Sequence, residues 1–506
     1  MGHMDPALPP LIHALLEPRR YPHAVPGVEL VQTHISWILL AGDFAYKIKK
    51  PLKLPFLDFS TLELRHACCV DELRLNRRFA PDLYLEVVGL FGTPHEPRFT
   101  GQGAPIEYAV KMRRFDQTGR LDLVCARHEL HPAQLSDLAD SVVAFHTGAA
   151  KAPLASRFGS SSEVMAPAMD NFNDLSLLLP DPGLRVRLDA VRGWTEAQFG
   201  QLAVRMDARK SAGRVRECHG DLHLANLVLI DGRVRMFDCI EFNDDLRWID
   251  VASDIAFSYV DLLDHGEPGL ANWFVNEVLS RSGDCGAAEV LRFYAVYRAM
   301  VRAKVAAIRN AQTHGGDNQV VEYIALAERL MAPPPRRLVV THGLAGCGKT
   351  VASSKLLQSD PHASTLRLRS DVERKRLFGL AGDQRSNSGT GTGIYAPDAH
   401  VRTYTHLLSV ADMWLHAGWS VVVDAAFLQH AERMRFEALA RNIGVEFAIL
   451  APQATPGQLR QRIQTRSALG CDASEATLEV LERQMRQIEP LTAHERTHLL
   501  APWNPG

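Results

Sequence analysis

The stretch that most constrains this chain is Leu-Val-Val-Thr-His-Gly-Leu-Ala-Gly-Cys-Gly-Lys-Thr, residues 338–350. An apolar, β-branched strand runs directly into a glycine-rich loop that matches G-x-x-x-x-G-K-T at Gly343, Gly348, Lys349 and Thr350. Gly346 and Cys347 complete the loop backbone. Glycines let such a backbone wrap its N–H groups around a phosphate, and the following helix N-terminus adds positive potential. Lys349 would neutralise β- and γ-oxygens, and Thr350 would offer a hydroxyl to Mg²⁺. An ordinary glycine turn lacks both the strand before and the helix-compatible run after. The local pattern therefore predicts a nucleotide site at the carboxyl end of a parallel strand.

With 506 residues the chain has room for about three folding units of roughly 150 residues each. The 56 basic and 58 acidic residues leave no global positive field, which argues against non-specific coating of nucleic acid. Eight cysteines occur without a C-x-x-C pair or regular spacing, the usage of a reducing compartment. No apolar run approaches the roughly 20 residues needed to span a bilayer. A cytoplasmic protein without a membrane partner is expected. The opening Met-Gly-His-Met is set aside as foreign to the fold.

Near the N-terminus, residues 33–50 read as two strands joined at Ala41-Gly42-Asp43. Period two puts Lys47 and Lys49 on one face, where a lysine could clamp nucleotide phosphates. A helix over 64–78 supplies Glu72 as an ion-pair partner. The competing reading is an edge strand blunted by solvated lysines. Residues 105–115 predict a further strand of the same sheet, and 116–120 a linker. Helices are expected over 134–146 and 183–209, with 151–180, rich in Ser, Ala and Pro, as loop or short helices.

Then comes Cys-His-Gly-Asp-Leu-His-Leu-Ala-Asn, residues 218–226, followed by Leu-Val-Leu-Ile-Asp-Gly-Arg-Val-Arg-Met-Phe-Asp, residues 227–238. Asp231-Gly232 is a two-residue hairpin turn. Pairing Ile230 with Arg233 sets Asn226 opposite Phe237, so Asn226 and Asp238 converge at the open end of the hairpin, with Asp221 in the loop entering it. Phosphoryl transfer needs this set: a carboxylate to accept a hydroxyl proton, and hard oxygen ligands for Mg²⁺. Asp221 fits the base, Asn226 and Asp238 the metal. The segment resembles the aminoglycoside phosphotransferase and choline kinase-like family, whose H-G-D-x-x-x-x-N and following D match His219, Gly220, Asp221, Asn226 and Asp238. The resemblance implies that Lys47 or Lys49 is the nucleotide lysine, with the choice between them open, and that the fold is bilobal and protein-kinase-like. It departs from protein kinases in lacking a G-x-G-x-x-G before Lys47 and in the Cys-Ile that follows Asp238.

Other polar groups here read as structural. Asp244, Asp245, Arg247, Asp250 and Asp254 suit ion pairs and helix starts. His223 suits a local hydrogen bond, and Arg298, Arg302 and Arg309 a salt-bridged helix face.

After Pro333-Pro334-Pro335 the order is strand, phosphate loop, helix, then a second strand ending at Ser370-Asp371, a third ending at Asp424, and a fourth over 445–450. Ligands collect at the carboxyl ends of parallel strands, which would bring Asp371 near the γ-phosphate held by Lys349. Asp424 is suited to hold Mg²⁺ through water. A hydrolase orients a water, whereas a kinase needs a base for a hydroxyl, and Asp371 favours the kinase. Helix capping by Ser370, with Asp371 in the first turn, is the plain alternative. Arg369-Ser-Asp-Val-Glu-Arg-Lys375 resembles the P-loop kinases grouped with polynucleotide kinase, gluconate kinase and zeta toxins. That resemblance implies Asp371 as general base and Arg374 as a substrate contact. Arg462 and Arg466, four apart on one helix, look like the lid of those kinases, where arginines neutralise the transferring phosphoryl group. Residues 381–397 are too polar to pack and predict a mobile loop covering the substrate.

The expected fold class is therefore a multidomain α/β and α+β protein. A kinase-like N-lobe is expected over 5–118, its C-lobe over 119–331, a linker over 332–336, and a P-loop domain with a parallel sheet over 337–502. As a whole the chain resembles bacterial two-domain proteins that fuse these two kinds of kinase. That resemblance implies two sites, each transferring the γ-phosphate of ATP or GTP, with Mg²⁺, to a small-molecule hydroxyl. The alternatives are a nucleotide-sensing regulator in which one domain gates the other, and a nucleic-acid 5′-hydroxyl kinase, which the near-neutral charge disfavours.

Overall fold

The computed structural model describes residues 8–54, 57–313, 318–382, 384–389, 391–469 and 474–500. The chain packs as two compact units. One comprises Met1–Leu130, Ala144–Ser160 and Arg209–Phe257, the other His131–Val143, Ser161–Ala208 and Ser258–Gly506.

In the first unit a six-stranded antiparallel sheet runs, in spatial order, Val28–Gln32, Ser36–Ala41, Phe44–Lys49, Glu107–Arg113, Tyr84–Thr93 and Glu96–Arg98. Gly42 turns the hairpin at the expected place with φ +58°. Lys47 and Lys49 lie on a central strand and are 4% and 0% exposed, so the edge-strand reading fails. One face of the sheet buries Trp37, Leu39, Tyr46, Ile48 and Leu90. Across the other lies the helix Leu62–Asn76, started by Thr61, whose side chain accepts from Leu64 N. Arg65 pairs with Glu107 at 2.8 Å and fastens that helix to the sheet. The hairpin Leu227–Ile230 and Arg233–Met236 has the expected register, Ile230 opposite Arg233 and Leu227 opposite Met236. Asp231 and Gly232 take φ +51° and +75°, the double left-handed turn whose twist matches the strands.

The second unit holds a four-stranded parallel sheet in the order Thr365–Arg369, Ser420–Asp424, Arg337–Thr341, Glu446–Leu450. All four strands match the expected segments. Their middle residues, among them Val339, Val340, Val422 and Ala448, are buried, as befits a sheet covered on both faces. The helices Pro268–Ser282, Ala287–Thr313 and Gln319–Met331, which the sequence places in the C-lobe over 119–331, pack in this unit with the parallel sheet. Among the described residues no helix is long and apolar enough to cross a membrane.

One expectation is corrected. Residues 161–178, read from composition as loop or short helices, form the 18-residue helix Ser161–Leu178, with Pro167 inside it. Ala168, Asn171, Phe172 and Leu175 are buried at helical spacing, and that packing outweighs the local cost of proline and serine.

The parallel sheet has an outer strand, Thr365–Arg369, whose free edge is closed by a side chain. Asn276 Nδ2 donates to Thr365 O at 2.8 Å, and Arg367 N donates to Asn276 Oδ1 at 2.7 Å. One amide thus stands in for a missing strand. Asn276→Leu should lower stability by at least about 2 kcal/mol, because two buried backbone groups lose their partners, and urea titration would register the shift.

Candidate functional sites

The first constellation forms inside the first unit. The loop after Cys218 is held from below by Asp254, which accepts from His219 N at 3.2 Å and Gly220 N at 2.9 Å. His146 Nε2 bonds the same carboxylate at 2.8 Å. His219 Nε2 donates to Phe237 O at 2.9 Å, and burial holds the ring's pKa down. Gly220 sits at φ +85°, and a Cβ there would stand 2.7 Å from Leu246 O. Gly220→Ala should therefore cost about 1–3 kcal/mol from backbone strain alone, read as a lower urea midpoint.

So anchored, the loop presents Asp221. Asn226 Nδ2 donates to Asp221 Oδ2 and to Asp221 O, each at 3.0 Å. Phe237 N donates to Asn226 O at 3.0 Å, the cross-strand bond that the hairpin register requires. Asp238 follows with φ +63°, unusual for a residue with a side chain, and its N–H donates to Tyr84 Oη at 2.9 Å. That strained backbone directs its carboxylate onto Lys47. Lys47 also pairs with Glu72 at 2.9 Å. Lys49 sits deeper, between Glu72 and Glu241.

Burial opposes the charge on Glu72, but Lys47 and Lys49 outweigh it and hold its carboxyl low. Glu241 is driven the other way, by burial first and by the charge of Glu72, against the pull of Lys49. The side chains of Asp221 and Asp238 are 34% and 38% exposed, whereas those of Lys47 and Lys49 are 6% and 0%. The two carboxylates face outward, and only Lys47 reaches one of them. His223 makes the local bonds expected of it, accepting from Ala225 N at 3.2 Å and lying 3.3 Å from Asp221. Asp250 pairs with Arg209 at 2.7 Å, the structural role expected.

The second constellation lines a cavity of about 1120 Å³ within the second unit. Lys349, Thr350, Asp371, Arg374, Asp424 and Arg462 all contribute to its wall. Gly343, Gly346 and Gly348 take φ +145°, +83° and +100°, and a Cβ on Gly343 would meet the Cys347 sulfur at 2.7 Å. Lys349 Nζ donates to Gly343 O and Leu344 O, both at 2.8 Å, across its own loop. Asp424 ends its strand 6% exposed and accepts from Ser353 Oγ at 3.3 Å. Asp371 follows the neighbouring strand as the second residue of the helix Ser370–Leu377. Arg369 occupies the cap position and no side-chain cap bond forms, so capping by Ser370 does not account for this segment.

Arg374 is buried, donates to Ile394 O at 3.1 Å and lies 5.4 Å from the Tyr395 ring centre. Arg462 donates to Gly346 O at 3.3 Å, over the phosphate loop. Arg466 belongs to the helix Pro456–Leu469, but its side chain lies outside the described residues. Part of the polar segment over 381–397 lines the cavity, where Ser386 N donates to Glu475 Oε1 at 2.7 Å. Lys375 pairs with the same glutamate at 3.3 Å. Arg302, by contrast, is spent on Asp261 at 3.3 Å and the Tyr323 hydroxyl at 3.1 Å, a salt-bridged face as expected.

Sequence reasoning passed over several participants. Glu241 extends the ion-pair chain through Lys49, Tyr84 accepts from Asp238 N, and Arg367 supports the phosphate-loop helix. Buried Arg367 donates to Ser354 Oγ at 2.7 Å and Ser353 Oγ at 3.2 Å. An arginine in the middle of a buried strand, Arg367 within Thr365–Arg369, was the available signal for the last. Glu241, three residues after Asp238 in a largely apolar run, was the signal for the first.

Residues 338–491 match the AAA domain family. Over the longer chain, uncharacterized proteins of Mycobacterium tuberculosis and Mycobacterium bovis are 28% identical over 454 residues, covering 89% of this chain and 88% of theirs. Among solved structures, a choline/ethanolamine kinase family protein from Mesorhizobium loti is similar with a TM-score of 0.42 and 14% identity, over 64% of this chain and 94% of that one. A choline kinase from Cryptosporidium parvum gives a TM-score of 0.40 and 11% identity, over 63% and 96%.

Proposed function

We propose that the chain is a phosphotransferase with two centres, each moving the γ-phosphoryl group of ATP or GTP to a hydroxyl of a small molecule. The observation that carries the reading is the meeting of Lys47, Asp238, Asn226 and Asp221 within one unit, from a central strand, a hairpin end and an anchored loop. In the first centre Lys47 binds nucleotide phosphate, with Glu72 orienting its ammonium, and Asp221 accepts the proton of the acceptor hydroxyl. In the second, Lys349 and the loop amides hold the phosphates, Asp371 accepts the proton, Arg374 contacts the acceptor and Arg462 neutralises charge on the moving group. Arg466 is assigned the same role as Arg462.

The donors suit a hard divalent cation. Asn226 and Asp238 in one centre, and Thr350 and Asp424 in the other, offer oxygen only, the chemistry Mg²⁺ prefers. When bound, Mg²⁺ would neutralise phosphate charge. The protein's own task is to fix the donor phosphate and the acceptor oxygen in line and to provide the base.

The test is transfer from γ-labelled ATP and GTP to panels of sugars, amino sugars, amino alcohols and oligonucleotides. Labelled small molecules are the expected products. Release of free phosphate alone would defeat the reading in favour of a nucleotide-dependent regulator, and label confined to oligonucleotide ends would replace the acceptor class.

A further inference from the structure

Away from the cavity, the second unit brings together two histidines and a glutamate whose ligand atoms all lie within 4.8 Å of one another: His494, His498 and Glu437. They come from two places in the fold. Glu437 stands on the helix His430–Ile443, and the histidines on the short turn that follows Thr492. That turn is set by a capping box in which Glu495 N donates to Thr492 Oγ1 at 3.2 Å and Thr492 N donates to Glu495 Oε2 at 2.8 Å. Helical bonding continues past it, Thr497 N to His494 O at 3.0 Å and His498 N to Glu495 O at 3.1 Å. The two imidazoles lie together, their ring centres 4.9 Å apart.

The ring of His494 already bonds Glu437 Oε1 at 2.9 Å. The Nε2 atom of His498, buried from solvent, has no hydrogen-bond partner. A buried imidazole nitrogen without a partner costs free energy unless something fills its lone-pair direction. Arg441 also pairs with Glu437 Oε1 at 3.0 Å, but its side chain is 74% exposed, so it can swing into solvent when the carboxylate takes another partner.

We propose that His494, His498 and Glu437 bind a divalent transition ion of borderline softness, Zn²⁺ foremost, which fastens the segment after Thr492 to the helix His430–Ile443. Two imidazoles and one carboxylate are a ligand set for Zn²⁺, with a fourth position open to water. Tetrahedral bonds of about 2.1 Å put ligand atoms roughly 3.4 Å apart, so the three donors need close in by little more than an ångström. The spacing His-Glu-x-x-His also invites a hydrolytic reading, but Glu495 is 1% exposed and paired with Arg433 at 2.6 Å, which removes it as a base. The ion is a clamp. The clamped segment runs on along an edge strand, with Ile449 N donating to His498 O at 2.8 Å and Leu500 N to Ile449 O at 3.0 Å. Binding would therefore fix the chain beside the outer strand of the parallel sheet.

The experiment titrates the chelator-treated full chain with Zn²⁺ against a chromophoric competitor and repeats it with Co²⁺, whose visible absorption reports coordination. Because free thiols also take zinc, the deciding quantity is the difference between the wild type and His494→Ala, a substitution at a side chain that is 66% exposed and so compatible with folding. Glu437→Gln serves as a second variant. The expected result is one equivalent of tight binding that falls at least tenfold in affinity in both variants. A rise of about 5–10 °C in melting temperature at a hundredfold excess over Kd should also disappear in them. Equal stoichiometry, affinity and thermal response in wild type and variants would overturn the proposal, as would the absence of a binding step below about 100 µM.

Discussion

Asp221→Asn should silence one of two labelled products and leave the other. Loss of a general base that accepts a hydroxyl proton lowers turnover by about 10²–10⁴. The substitution is nearly isosteric, the side chain is 34% exposed, and an amide oxygen can still accept from Asn226 Nδ2, so the loop that Asp254 anchors should keep its geometry. Asp371→Asn should do the converse. Asp371 lines the cavity of the second unit together with Lys349 and Arg462. Measured with γ-labelled nucleotide and separated products, the two variants should lose complementary activities, and the double variant both. If either single variant lost both products, the reading of two independent centres would fall; if neither lost any, the assignment of these carboxylates as bases would.

Lys47→Ala and Lys49→Ala should fail in different ways, although the two stand two positions apart on one strand. Lys47 reaches the outward-facing Asp238, and after its removal Glu72 still has Lys49. The expected effect is weakened nucleotide binding and at least about a hundredfold loss of phosphoryl transfer at the first centre, with a smaller change in stability. Lys49 has no exposure and bridges two buried carboxylates, so its removal leaves Glu241 without its cation. Breaking a buried pair from one side costs about 3–5 kcal/mol, a cost that thermal and urea melts would show directly. Equal stability losses in both variants would contradict the division between a nucleotide lysine and a structural one.

The contrast shows how far the sequence reaches. Period two puts both lysines on one face, and the helix that carries Glu72 is evident, yet nothing local distinguishes the two. The distinction arises when Asp238, some 190 positions away in the chain, arrives at one lysine and Glu241 at the other. The misjudged segment over 161–178 has the same origin. Its serines and proline argue against a helix, and the burial of Ala168, Asn171, Phe172 and Leu175 supplies the countervailing energy.

What the sequence determined by itself is whatever carries its own geometry. The glycines of the phosphate loop, the Asp231-Gly232 turn with the register it imposes, and the strands that end at Asp424 or just before Ser370-Asp371 are dictated by backbone sterics and side-chain periodicity within a dozen residues. The tertiary structure alone decided which lysine meets Asp238, that Asp254 secures the Asp221 loop, that Asn276 closes a sheet edge, and that the helices after residue 258 pack with the parallel sheet. The first three of these rest on a buried polar group finding its partner across a long stretch of chain. Such partnerships are fixed by the requirement that no buried charge or backbone group be left alone, a condition that applies to the folded whole and leaves no periodic trace in the sequence.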